Sequence, residues 1–163
     1  MSQTLLATLA LLIVTVYAAQ QQRNIVGQQA AMIQNEVASM ATSVAVDRLE
    51  EIGSMAFDEH TKDGPVFHPS QLTPYPFPPD AQGDDLDDFH LVKLDTFRLV
   101  GLDTLRFMVE TSVTYVNETN LELATTQSTK YKRAEAKVYS TTISSPDTVR
   151  IAQTFSCGSR CQW

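Results

Sequence analysis

Charge is missing from the start of this 163-residue chain: Met1 to Gln22 include no Asp, Glu, Lys or Arg. A helix with no polar face must be buried all round, so this segment is not an ordinary solvated surface helix. No Lys or Arg precedes the apolar run from Leu5 to Ala19, so the basic start of a cleaved secretory signal is lacking, although Val14 to Ala19 offers a small-residue cleavage site. Glycine is scarce as well, Gly27 being the only one within the first 52 residues. Cysteine is confined to Cys157 and Cys161, too few for a two-plus-two zinc pattern. Positive charge is in deficit, 12 Lys and Arg against 19 Asp and Glu. The resulting net charge of −7 argues against nucleic acid, which demands a basic face. Catalytic constellations are absent too. His60, His68 and His90 fall in loop-like sequence, and there is no Ser-His-Asp order, glycine-rich phosphate loop or His pair at helical spacing. Glu50 and Glu51 are adjacent on a helical pattern and point to different faces, which is wrong for a carboxylate dyad. Neither an enzyme nor a small-molecule substrate is expected.

What the chain does have is a long helical pattern. Leu5, Leu6, Leu9, Leu12, Ile13, Val16 and Tyr17 belong to a stretch apolar on every side, somewhat short of the roughly 20 residues that comfortably cross a bilayer. From Arg23 the pattern becomes one-sided: Ile25, Val26, Ala30, Ile33, Val37, Met40, Ala41, Val44, Leu49, Ile52 and Met55 recur at spacings of three and four. A helix reaching about Phe57 would be about 80 Å long, and the remaining chain is too small to cover it. Lipid or further copies of the chain must bury the N-terminal half. Three fates compete: a cleaved signal, a simple membrane anchor, and a helix that sits in a membrane before assembly and in a filament core afterwards.

Four segments follow: an apolar helix over 1–24, its amphipathic continuation over 25–58, a proline-rich and acidic connection over 59–103, and a β-sheet domain over 104–163. Pro65, Pro69, Pro74, Pro76, Pro78 and Pro79 bar helix and central strand alike, so that stretch should lie over the domain surface with Phe67, Tyr75 and Phe77 tucked in. Leu105, Phe107, Val109, Thr111, Val113 and Tyr115 alternate with polar residues, predicting a long half-buried strand. A second strand is expected over 130–143 with Ala134, Ala136 and Val138 on one face, then a turn at Ser144-Ser145-Pro146-Asp147 and a third strand marked by Val149, Ile151 and Phe155. The fold class is therefore α+β, one antiparallel sheet whose buried face takes the helix's apolar stripe from about Ile33 to Met55.

Smaller features carry their own expectations. In an oxidising compartment Cys157 and Cys161 would close a five-residue ring, worth about 2 kcal/mol by chain entropy. This ring would pin the tail so that Trp163 lies on the domain or on a neighbouring subunit, contributing more to subunit contact than to the fold. Asp80, Asp84, Asp85, Asp87 and Asp88 supply hard oxygens within nine residues, as calcium prefers, without EF-hand spacing. The alternative is a turn whose aspartates bond the local backbone. Asn117-Glu118-Thr119 matches the glycosylation acceptor pattern, which also arises often by chance. Residues 1–60 and 61–100 each carry a net −4 and residues 101–163 a net +1, a split that would let the acidic flank of one copy meet the basic strands of another.

In this order the residues resemble type IV pilins and pseudopilins. Thr4-Leu5-Leu6-Ala7 is similar to the family's Thr-Leu-Ile-Glu start, Ala45 to Ile52 to its Ala-x-x-x-Leu-Glu-x-Ile segment, Asp84 to His90 to its acidic turn, and Lys130 to Val138 to its Tyr-Lys-x-Val-x-Val-x-Val strand. The resemblance implies a homo-oligomeric helical filament, extracellular, with a precursor held in the inner membrane. The family's early glutamate is replaced by Leu5 or Ala7, depending on register, and its basic leader ending in glycine is not seen, so a removed leader or a different maturation is expected. Gly27 is where the packed helix is expected to loosen, between about Gln20 and Gln29, since glycine lowers helix stability by about 1 kcal/mol. The expected role is a structural filament subunit. The alternatives are a low-abundance minor subunit or a membrane-anchored extracytoplasmic binding module.

Overall fold

The computed structural model describes residues 2–78, 83–100, 103–140 and 148–163. The fold is α+β. Helix α1 runs without interruption from Ser2 to Gly53, and the chain divides into two compact units, Met1–Val37 and Ala38–Trp163.

Within the second unit, the last four turns of α1 bury one stripe. Ala41, Val44, Ala45, Arg48, Leu49 and Ile52 are buried, the spacing of three and four that keeps side chains on one face. Burial begins later than the expected Ile33, which remains 55 % exposed, because the sheet covers the helix only from about Ala41 onward. The helix also ends sooner than expected. A Cβ on Gly53 would stand 2.6 Å from the Phe155 ring, so glycine permits this close approach of helix end to sheet.

The sheet is antiparallel, with strands β1 (Lys93–Val100), β2 (Asp103–Val116), β3 (Ala124–Thr125), β4 (Tyr131–Ser140) and β5 (Val149–Ser156). Their order is β1-β2-β4-β5. Tyr115 pairs with Thr125 on one edge of β2 and Lys132 on the other, so β3 lies on the same edge of β2 as β1. The helix-facing residues of β2, namely Phe107, Val109, Thr111, Val113 and Tyr115, are buried, as are Ala134, Ala136 and Val138 of β4. The expected alternation is thus observed. The end of the second expected strand beyond residue 140 and the Ser144-Ser145-Pro146-Asp147 turn lie outside the described residues.

Strand β1 corrects the expectation of a connection running unbroken to residue 103. Its apolar residues do not alternate cleanly: Phe97 and Leu99 pair with Arg106 and Thr104 on the outer face and are exposed. Strand β1 is an edge strand held by its register with β2, and periodicity alone does not reveal it.

Among its described residues, the connection from Ser54 to Val92 has little regular structure, only the one-turn helix α2 (Glu59–Lys62) and short 3₁₀ turns at Pro69–Gln71 and Asp87–Phe89. Two isolated bridges hold it, Ala56 to Asp85 and Val66 to Cys161. Replacing Phe107, fully buried, by Ala should lower the unfolding free energy by about 3–5 kcal/mol in chemical denaturation. Phe97→Ala, at a 57 % exposed edge position, should change it by about 0.5 kcal/mol or less.

Candidate functional site

The alternation that puts Ala134, Ala136 and Val138 inward puts Lys132 inward too, directly opposite Tyr115 on β2. Lys132 is completely buried, as is Asp58, and Asp87 is nearly so. A lysine with no water must find acceptors for three N–H donors. Nζ donates to the carbonyl of Phe57 at 2.7 Å and to Asp58 Oδ2 at 3.1 Å, and it lies 2.5 Å from Asp87 Oδ1. Aromatic rings wall the site, with Nζ 4.6 Å from the centroid of Phe57, 5.0 Å from Tyr115 and 5.4 Å from Phe77. Tyr75, Phe77 and His90 stack edge to face beside it, at centroid distances of 5.4–5.7 Å.

The two aspartates are held very differently. Asp58 caps α2: its side chain accepts from the His60 amide at 3.1 Å, and the Thr61 hydroxyl accepts from the Asp58 amide. Oδ2 also accepts from the Thr73 amide at 2.9 Å. Burial alone would raise the Asp58 carboxyl, but the Lys132 charge and these amide bonds outweigh it and hold Asp58 below the usual carboxylate range. Asp87 opens the second 3₁₀ turn; its Oδ1 faces Lys132 Nζ, and its Oδ2 has no hydrogen-bond partner among the described residues. Burial, with the nearby charges of Asp85 and Asp58, pushes the Asp87 carboxyl up to about 7 against the pull of Lys132. Tyr115 donates its hydroxyl to the Thr73 carbonyl at 2.9 Å, and burial raises that hydroxyl strongly. Burial lowers His90, whose Nδ1 accepts the Val113 amide and is therefore unprotonated.

The acidic turn uses its carboxylates locally. Asp85 Oδ1 accepts the amides of Asp87 at 2.8 Å and Asp88 at 3.3 Å, and Asp88 Oδ2 accepts those of Asp84 at 2.9 Å and Asp85 at 3.3 Å. Asp84 is ion-paired with Lys62. Burial raises the Asp85 carboxyl. Asp80, the remaining member of the calcium set, lies outside the described residues. Among the described residues no three His, Cys, Asp or Glu side chains converge as a metal would require.

Cys157 and Cys161 form a disulfide, with Cα atoms 5.6 Å apart. Both are buried with Phe57, Val66, Leu72 and Tyr115, and Trp163 packs against this cluster. The Lys130 ammonium sits 5.1 Å from the Trp163 ring centroid and donates to the Trp163 carbonyl. The Val66 amide donates to Arg160 at 2.7 Å and the Gln162 amide to Val66 at 2.8 Å. The tail is thus built into the core of the domain. The Asn117 side chain accepts from the amide and hydroxyl of Thr119, a local turn within the glycosylation-like tripeptide.

Charges on the outer sheet face largely pair within the chain. Glu110 bonds Lys93 at 2.8 Å and Lys137 at 2.9 Å, Arg106 grips Asp95, and Arg150 meets Glu135. The hydrogen bonds from Lys93 and Lys137 hold the Glu110 carboxyl down to about 2.

Lys132→Met leaves Asp58 and Asp87 buried without their cation and should cost at least about 3 kcal/mol of stability in denaturant titration. Lys137→Met, on the outer face of the same strand, should cost little. In NMR titration the Glu110 carboxyl should protonate near 2, well below the ordinary carboxylate value. Lys93→Ala combined with Lys137→Ala should return it toward that value. Because the shift is downward, whatever stability the pairing gives is present above the unfolded-state value and is lost as pH falls toward 2.

A long apolar N-terminal helix packed on an antiparallel sheet is compatible with a pilin-like fold. No family model matches this chain, and no curated protein or solved structure matches it either.

Proposed function

We propose that the chain is a structural subunit of an extracellular, pilus-like filament and polymerises through its apolar N-terminal helix. One observation carries this reading. Leu5, Leu6, Leu9, Leu12, Ile13, Val16 and Tyr17 are each 53–70 % exposed, on a helix with no partner among the described residues of its own unit. An apolar surface of that extent is stable only against another apolar surface.

The polar groups in the run suit a dry environment. Thr8 and Thr15 donate their hydroxyls to the carbonyls of Leu5 and Leu12, both at 2.9 Å, and Gln21 donates to the Tyr17 hydroxyl at 2.7 Å. Each bond spares the cost of taking an unpaired polar group out of water. The copies would bury these faces together in a filament core, after the helix has waited in a membrane. Gly27 fits the same reading. A Cβ there would meet nothing within 4 Å, so packing inside the chain gives no reason for glycine, and α1 passes through it unbroken. Glycine would let the helix loosen between Gln20 and Gln29 when copies pack.

The second reading is a membrane-anchored module, favoured by the same helix, which is long and apolar enough to cross a bilayer. Deleting residues 1–24 should give a soluble, folded monomer, while the full chain forms fibres visible by electron microscopy. Fibres from the truncated chain would refute assembly through the helix. A full chain that remains dispersed in membranes would favour the anchor. Mass spectrometry of sheared fibres separates a major from a minor subunit, and a regular helix through Gln20–Gln29 within the fibre would remove the role given to Gly27.

A further inference from the structure

The site around Lys132 holds the parts of a condensation reaction, and we propose that Lys132 and Asp87 become joined by an intramolecular amide between Nζ and Cγ. The proposal rests on placement. The nucleophilic nitrogen lies 2.5 Å from Asp87 Oδ1, which puts it beside the carboxyl carbon. A second carboxylate, Asp58, lies 3.1 Å from the same nitrogen on another segment of chain. Lys132 and Asp58 have no solvent exposure, and Phe57, Phe77 and Tyr115 enclose the nitrogen.

The geometry also assigns the roles. Asp58 is anchored through the amides of His60 and Thr73, which favour its charged form, and a carboxylate is a poor electrophile. It serves as the base. Asp87 Oδ1 is the oxygen that faces Nζ, whereas Oδ2 has no partner among the described residues, so Oδ2 is the oxygen free to carry a proton and leave. Burial of Asp87 among other acids favours that protonated form. The Lys132 ammonium passes one proton to Asp58, freeing the nitrogen lone pair. Nitrogen attacks Asp87 Cγ and the carbon–oxygen π pair moves onto Oδ1. Return of that pair breaks the Cγ–Oδ2 bond, and Oδ2 departs as water with its own proton and a second one from nitrogen. The products are one amide, one water and a protonated Asp58. One ammonium, one carboxylate and one carboxylic acid have been consumed, and no oxidant or cofactor is needed.

The same physics supplies the drive. An ammonium and a carboxylate enclosed without water are costly, and the products carry no charge. Groups held in contact react with effective molarities of about 10⁵–10⁸ M, enough to favour an amide that free amine and acid do not form in water. An aromatic enclosure that excludes water also protects the amide from hydrolysis. The link would tie the acidic turn covalently to β4, next to the segment pinned by the Cys157–Cys161 disulfide.

The test is the intact mass of the full chain, denatured and with its disulfide reduced. The proposal expects a mass below that of the sequence by one water, and a tryptic digest containing a branched peptide that joins Asp87 to Lys132. A chain at full sequence mass overturns it. A branch joining Lys132 to Asp58 overturns the assignment of acceptor. An Asp58→Asn chain with native β-sheet circular dichroism should have full mass, because the base is gone; water loss in that variant overturns the role of Asp58. The wild-type mass decides the main point however the variant folds.

Discussion

One buried ammonium organises the domain. Lys132 reaches the core because a strand places every second residue inward, and once there it needs three acceptors that water will not supply. They come from Phe57 and Asp58 just after the helix and from Asp87 in the acidic turn. Residues far apart in the chain must therefore converge on β4. The connection between them has prolines at 65, 69, 74, 76, 78 and 79 and, among its described residues, almost no repeating backbone hydrogen bonds. Its order comes from polar anchors: Thr73 on Asp58, Tyr115 on Thr73, Thr111 on Phe89, and the Ala56–Asp85 bridge. Breaking one partner of a buried pair costs about 3–5 kcal/mol, so a large share of the domain's marginal stability passes through a few atoms.

The two units of the chain answer to different surroundings. Ala38–Trp163 has a core of its own, with the helix stripe from Ala41 to Ile52 and the inner sheet face closing on each other. Met1–Val37 has none: its described side chains are exposed almost throughout, and its threonines turn their hydroxyls back to the helix. Such a chain is stable in water only where an apolar neighbour, lipid or protein, supplies the missing burial. Assembly and membrane residence are alternative ways of meeting that one demand.

Much of the fold was legible because period and composition are local signals. The alternation of Phe107 to Tyr115 and of Ala134 to Val138 marks strands directly, and the charge-free run marks the helix. Strand β1 was not legible, since its exposed Phe97 and Leu99 obey an edge register rather than a buried face. The helix end was misplaced because Met55 and Phe57 continue an apolar pattern, whereas the contact between Gly53 and Phe155 is tertiary. The site was half visible. Lys132 shares the parity of Ala134, Ala136 and Val138, so alternation alone places it inward, but a lysine beside Lys130 and Arg133 reads as part of a basic surface. The acidic turn reads as a cluster of like charge, but two of its aspartates meet lysines distant in sequence, Asp87 on Lys132 and Asp84 on Lys62. The distance in sequence between Asp58, Asp87 and Lys132 hides this from any local pattern.

The Lys132 cluster makes the irregular connection part of the cooperative core. Native-state hydrogen exchange tests it most directly, through the Thr73 amide that bonds Asp58 and the Leu86 amide that bonds Ala56. Both should exchange only through global unfolding, with the same opening free energy as amides in the centre of β4. Rapid exchange of Thr73 and Leu86 while β4 remains protected would show that the connection opens independently of the core.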